Sequence, residues 1–511
     1  MAATSTRGLA TRRLLVTLGA VLAVGWGSGC GWPFRRAPLR VVVESVPGTL
    51  DPHRQNQIVS WAIVANVCEG LVGFTGDMRL EPVLAEGWER LDTERVRFRL
   101  RKGVVFHDGS KLGAGDVVAS FERARASPVP GIQHHLIGIR AVRAEGEDTV
   151  LFETDGPAPT LLNRLAYLFI VPRTQATERE IAQPIGTGPY RVAGRDADGT
   201  VRLEAFAGWR GRPQVGRAEF RGEPDGSRAV AALLRGEVDV LRRLPDERLP
   251  EVTRARGVRA QVQPGMQVRL LVTVPGAAKG AARRALADPR VRRAMLHAID
   301  RQRLVDEGFR GNGTVASQFV HPVVFGFDPS IAPLPYDPRR ARELLAEAGF
   351  GAGFAVELGH GELPWQAVAP IVEDLERVGL QVKVRPLPFP ELLAQARDIP
   401  LLYYGRSCTI GDAQDFLDAL LHTPDPARGY GTENWGGYSN PRADQAIEAA
   451  GRELDPARRL VLLQQAQRVV LEDLPVLPLV IRWNYLGLSD RIEVPSRYDE
   501  WLVLADFRWR S

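Results

Sequence analysis

Cysteine and lysine are both scarce in this 511-residue chain, and each scarcity closes off a class of protein. Three cysteines, at positions 30, 68 and 408, cannot make the paired framework that holds a disulfide-rich domain together. Cys68 and Cys408 are read as unpaired, packed thiols. Lysine occurs only at 102, 111, 279 and 383, so the 66 basic residues are nearly all arginine. They are spread along the chain among 61 acids, without the clustering that grips nucleic acid. Catalytic signatures are missing as well. There is no GxxxxGK(S/T) loop, no HExxH and no GxSxG elbow. The Gly311–Gly313 pair lacks a third glycine, and GFGAGF at 349–354 reads as a helix stop. The adjacent His134 and His135 would diverge, unlike two ligands four residues apart on one helical face. No catalytic residue, metal site or cofactor is read from the sequence, and a non-enzymatic role is expected.

What the chain does have is length, enough for two or three lobes rather than one core. Its 44% hydrophobic and 25% charged content describes an ordinary globular body. Arg7, Arg12 and Arg13 precede an apolar run from Leu14 to Trp26. That run is too short to span a bilayer comfortably and suits the core of a signal peptide. It ends at Gly27-Ser28-Gly29-Cys30, which resembles a bacterial lipobox with Cys30 as the lipidated first mature residue. Ordinary signal cleavage nearby is the alternative, and Thr11–Leu15 loosely matches a twin-arginine signal. No later segment is apolar enough to cross a membrane, so a body tethered at one end is expected.

Residues 97–123, RFRLRKGVVFHDGSKLGAGDVVASFER, carry the clearest pattern. Phe98 and Leu100 alternate with polar neighbours, as in a half-buried strand. His107-Asp108-Gly109 supplies turn chemistry, with a structural hydrogen bond expected of His107. From Ala114 the apolar spacing turns helical through Val117, Val118 and Phe121. Further segments follow the same α/β rhythm: LDPHRQN with VANVCEGLVGF near the start, IGTGPYRV at 185–192, DPRVRRAMLHAIDRQRLVDEGF at 288–309 and LEDLPVLPLV at 471–480. YDPRRARELLAEAGF at 336–350 has Pro near its start and Gly349 as a C-cap.

Together these motifs resemble family 5 of the extracytoplasmic solute-binding proteins, the dipeptide, oligopeptide and nickel receptors of ABC importers. Gly115 stands where that family usually has an acid in the first helical turn. The resemblance covers about 40–510. It implies an α/β, two-lobed periplasmic-binding-protein-like fold with two crossovers and an extra small subdomain in the first lobe. Residues 1–29 would be the signal peptide and 30–38 the tether after lipidated Cys30. Lobe I would comprise 39–74, a small subdomain at 75–185, then 186–270 and a return at 479–511. Lobe II would be 271–478. The implied function is capture of a peptide-like or other small polar solute outside the cytoplasmic membrane, by hinge closure, and delivery to an ABC permease. The protein would be a monomer, anchored to the membrane by lipid at Cys30, with no nucleic-acid partner. A ligand-sensing receptor and a nickel-type metal-complex receptor are the alternatives.

The resemblance also points to ligand-binding residues. After the strand near Leu401–Gly405, peptide receptors usually read W-x-x-D-x-G-D-P-D, and the first Asp pairs with the peptide α-ammonium. Here Arg406 replaces the Trp, Thr409 replaces that Asp, and Asp412 matches the second Asp. Loss of the carboxylate removes a charge-assisted hydrogen bond, while an arginine fork suits an anion. Arg406 facing the cleft would favour an anionic or polar ligand. The other reading is an interior ion pair with Asp412 or Asp415. Glu44 and Ser45, at the end of the first strand, are further candidates. So are Tyr404, Asn434 and Trp435, with Tyr438 nearby and each open to a core role instead. Tyr403 and Tyr404 alternate, so one would reach the cleft and the other pack.

Overall fold

A computed structural model describes residues 37–510, except 56 and 362. The signal segment, the lipobox and Cys30 lie outside the described residues. Three larger sheets organise the rest.

The first sheet has seven strands, with Leu39–Val43 near its centre. Arg217–Gly222 and Val240–Leu241 flank that strand in parallel. The run of valines fits a strand covered on both faces. Val41 and Val43 enter the main core, while Val42 packs under helix Gly226–Leu234. The second sheet has six strands around Gln267–Thr273, which is antiparallel to Leu401–Ser407 and Val476–Arg482. Leu270 and Val272 face the main core. Leu271 faces a second core shared with helices Pro289–Ala298, Pro338–Glu347 and Ala369–Arg377.

The chain changes sheets twice. It leaves the first sheet after Gln263 and joins the second at Gln267, then returns between Arg482 and Asn484. These changeovers fall at 264–266 and at Trp483, not at 270/271 and 478/479. Each of the two strands belongs whole to the second sheet, and pairing fixes its ends more sharply than hydrophobicity does. The apolar residues of 288–309 recur at helical spacing, but the helix is broken for a similar local reason. Asp300 accepts from Arg303 N–H at 2.9 Å and restarts the chain as a separate turn.

The third sheet has four strands: Ala85–Arg90, Arg95–Leu100, Thr149–Thr154 and Ile139–Ala144. Helix Ala114–Arg125 covers it with fully buried Val117 and Phe121, whose ring lies 6.3 Å from that of Phe152. The helix starts without an acid at 115 because Asp116 does that work. Its carboxylate accepts from Gly113 N–H and from Arg173 N–H, each at 2.9 Å. His107 ties this sheet's turn to IGTGPYRV: Gly186 N–H donates to Nδ1 at 3.2 Å, and Nε2 donates to the Gly188 carbonyl at 3.0 Å. Burial pushes its pKa down to about 4, so it serves as a neutral link. A Cβ at Gly186 would lie 1.9 Å from the Val67 carbonyl oxygen, which explains the glycine there. Both Cys68 and Cys408 are buried free thiols.

Candidate functional site

The seam between the two larger lobes is open at one end and shut at the other. At the open end lies a cavity of about 810 Å³. Glu44, Arg243 and Asp246 wall it from the first lobe, and Arg269, Phe309, Tyr404 and Arg482 from the second. Glu44 follows the first strand and accepts from Arg242 at 2.6 Å, with Arg243 4.0 Å away. Burial opposes ionisation of Glu44, but these two arginines hold its carboxyl below the ordinary value. Arg482 pairs with Asp246 at 2.7 Å.

Arg269 differs from both neighbours. Among the described residues its side chain has no acid within 4 Å and no hydrogen bond, although the residue is only 8% exposed. Its guanidinium lies 5.9 Å from the centre of the Phe309 ring, and that of Arg482 lies 5.6 Å from it. Burial, aided by the charges of Arg482 and Arg243, pushes the Arg269 pKa down to about 10. The Tyr404 hydroxyl is also buried without a partner.

At the shut end, residues 406–415 dock against residues of the 75–185 segment. Tyr167 donates to the Thr409 carbonyl at 2.7 Å, and Asn163 donates to that of Ile410 at 2.8 Å. His134 Nε2 meets Asp415 at 3.2 Å, and the His135 ring stacks on Tyr167 at 4.6 Å. The gap left beside Thr409, Trp61, Tyr167 and Trp501 is about 10 Å³, room for one water at most.

Several residues singled out from the sequence therefore sit away from the open cavity. Arg406 takes the interior alternative: it donates to Glu433 at 2.7 Å and to Asp415 at 3.1 Å, over the Phe416 ring. Burial disfavours its charge, but these two acids raise its pKa above the usual arginine value. Asp412 is bound by Arg459 through two hydrogen bonds of 2.6 and 2.8 Å, both groups buried. Asn434 spends its amide on the His422 and Tyr438 carbonyls and on Tyr438 N–H. Trp435 packs edge-on to Tyr404 at 5.4 Å and lines a separate cavity of about 440 Å³ with Tyr438. Ser45 is exposed and outside the cavity wall. Thr409 faces the shut gap. Glu44 and Tyr404 line the open cavity, while Tyr403 packs in the second core. Arg269, Arg482 and Arg243 were not among the residues read from the sequence. A charged residue inside the apolar run QVRLLVTV was the one available signal for Arg269.

This arrangement matches known proteins over most of the chain. The family model described as bacterial extracellular solute-binding proteins, family 5 Middle, matches residues 79–427. The chain belongs to this family. The glutathione-binding protein GsiB of Salmonella typhimurium is 28% identical over 470 residues, covering 86% of this chain and 88% of that protein. GsiB of Escherichia coli is 28% identical over 494 residues, covering 91% and 92%. Among solved structures, HbpA2 from Haemophilus parasuis superposes with a TM-score of 0.81 at 23% identity, over 93% of this chain and all of that one. The Helicobacter pylori periplasmic binding protein DppA, in complex with peptide STSA, gives 0.78 at 22% identity, over 93% and 98%. Family members are extracytoplasmic binding components of ABC transporters rather than enzymes. This chain is accordingly a two-lobed α/β solute-binding receptor for such a transporter. Among the described residues no helix is long and apolar enough to cross a membrane.

Proposed function

We propose that this receptor captures a peptide-like or other small polar solute in the open interlobe cavity and presents the closed complex to its permease. The cavity of about 810 Å³, walled by charged and aromatic groups from both lobes, carries this reading. A solute touching both walls favours the closed state by its contacts to each lobe. With threonine at 409 and the surrounding gap shut, recognition does not depend on an acid that pairs with a free α-amine. The receptor works as a monomer held to the membrane by lipid on Cys30. No residue of the cavity acts as a catalyst.

Gentle purification followed by native mass spectrometry tests the reading, with metals measured on the same sample. The expected result is one small polar solute at near-equimolar occupancy, lost on mild denaturation. A protein that retains nothing, and that binds no peptide or small acid by calorimetry, would count against it. For the anchor, Cys30→Ser should move the protein from the membrane fraction to the soluble one.

A further inference from the structure

We propose that Arg269 anchors a carboxylate of the captured solute, so that the receptor selects acids over their neutral amides. This deepens the reading of the cavity as the solute site and rests on it.

The argument begins with what Arg269 does not do. A buried cation is tolerated when an acid pairs with it or when hydrogen bonds satisfy its donors. Arg406, on the adjacent strand and paired through its backbone with Val268, has both: Asp415, Glu433 and an aromatic ring. Arg269, the next residue along and opposite Gly405, has neither. Beyond the Phe309 ring, its side chain makes no hydrogen bond or ion pair among the described residues that would secure a loop or cap a helix. A structural role therefore leaves its charge unexplained. It faces the open cavity, which is large enough for a solute.

Its surroundings define what would complete it. Arg482 is paired with Asp246 and Glu44 with Arg242, whereas Arg269 has no acid within 4 Å among the described residues. Arg482 lines the same cavity, and its Nε is buried without a hydrogen-bond partner among the described residues. Phe309 lies against both guanidinium groups. A planar guanidinium offers parallel N–H donors that a carboxylate accepts with two oxygens. One carboxylate would thus pair with the Arg269 charge and accept from donors the protein leaves open. The lowered pKa of Arg269 is consistent with a charge that gains from such a counter-ion.

The test uses glutathione, trialanine and succinate, each beside its carboxyl-amidated form, with inorganic phosphate as a further probe. Calorimetry would be run on the wild type, Arg269→Gln and Arg269→Lys, after thermal melts show that all three fold. The wild type should bind at least one acid about 10-fold or more tightly than its amide. Arg269→Gln should abolish that preference, and Arg269→Lys should keep part of it. Equal binding of acid and amide, unchanged in Arg269→Gln, would overturn this inference while leaving the receptor reading intact. Tighter binding of phosphate than of every carboxylate would overturn the carboxylate assignment. If no probe binds, the solute retained by the wild type decides: a retained acid weakened by Arg269→Gln supports the inference, and a retained solute without an acid overturns it. No binding and no retained solute would overturn both readings.

Discussion

The two ends of the interlobe seam handle charge in opposite ways. At the shut end, Arg406, Arg459, Asp412 and Asp415 all find protein partners, and two hydrogen bonds from the 75–185 segment close the gap. At the open end, Arg269 faces a cavity with no acid and no hydrogen bond of its own among the described residues. The difference separates stability from specificity. Polar groups that satisfy one another hold the lobes in place, whereas groups left unsatisfied are those a solute can complete. The shut end bears the sequence that resembles the family's amine-recognition loop, yet its charged side chains are spent internally.

That contrast can be broken by substitution, and the largest effect is expected at the shut end. Arg406→Met leaves Asp415 buried and Glu433 unpaired, and should cost about 3–5 kcal/mol in urea denaturation. It should leave the acid-to-amide preference of the folded protein unchanged. A loss below about 1 kcal/mol would mean that the pair is solvated and the two ends are less different than argued.

Acidification is the next lever. Burial pushes His135 down to about 3, so it is neutral in the fold and titrates near 6.5 when unfolded. The unfolded chain then binds more protons as pH falls. Its contribution is fully present above about pH 6.5 and is lost progressively toward pH 3, amounting to about 2 kcal/mol by pH 5. Replacing it with Phe, which keeps the stacking on Tyr167, should flatten stability between pH 7 and 5 by that amount. Asp415 will not mask this. Burial opposes its ionisation, but Arg406 and His134 hold its pKa far below the carboxylate range. Its contribution is therefore present above about pH 4 and is lost only in strong acid.

Smaller changes sharpen the comparison. Tyr167→Phe removes the hydroxyl that bridges to Thr409 and should cost about 0.5–1.5 kcal/mol. Amide exchange should rise over 407–411 without a change in solute preference. Arg269→Met should change stability by less than about 1 kcal/mol, or raise it, because it removes a buried charge that no protein group compensates. The same class of substitution one register position apart on adjacent strands would thus differ in cost by severalfold. Equal losses from Arg406→Met and Arg269→Met would erase the distinction.

Much of the fold was legible because its signals are local. The alternation at Phe98 and Leu100 lies in strand Arg95–Leu100, and the helical spacing from Ala114 in helix Ala114–Arg125. Helix Pro338–Glu347 begins at an Asp cap and stops before Gly349, which has φ +83°. Asp300 carried a cap signal too, but it was hidden inside a continuous apolar periodicity. The site was less legible because it depends on distant partners. Alignment of the loop located Arg406 but could not choose its acids: Glu433 lies on a separate segment, and only the fold brings it within 2.7 Å. Arg269 is one arginine among dozens, and its distinction is the absence of a partner, which no local pattern records.

A crystal structure of the protein with its retained solute tests the central claim most directly. The account predicts that solute in the open cavity, with a carboxylate within about 3 Å of the Arg269 guanidinium and the Tyr167–Thr409 contact intact. A solute lodged beside Thr409, with the shut end parted and Arg269 untouched, would contradict it.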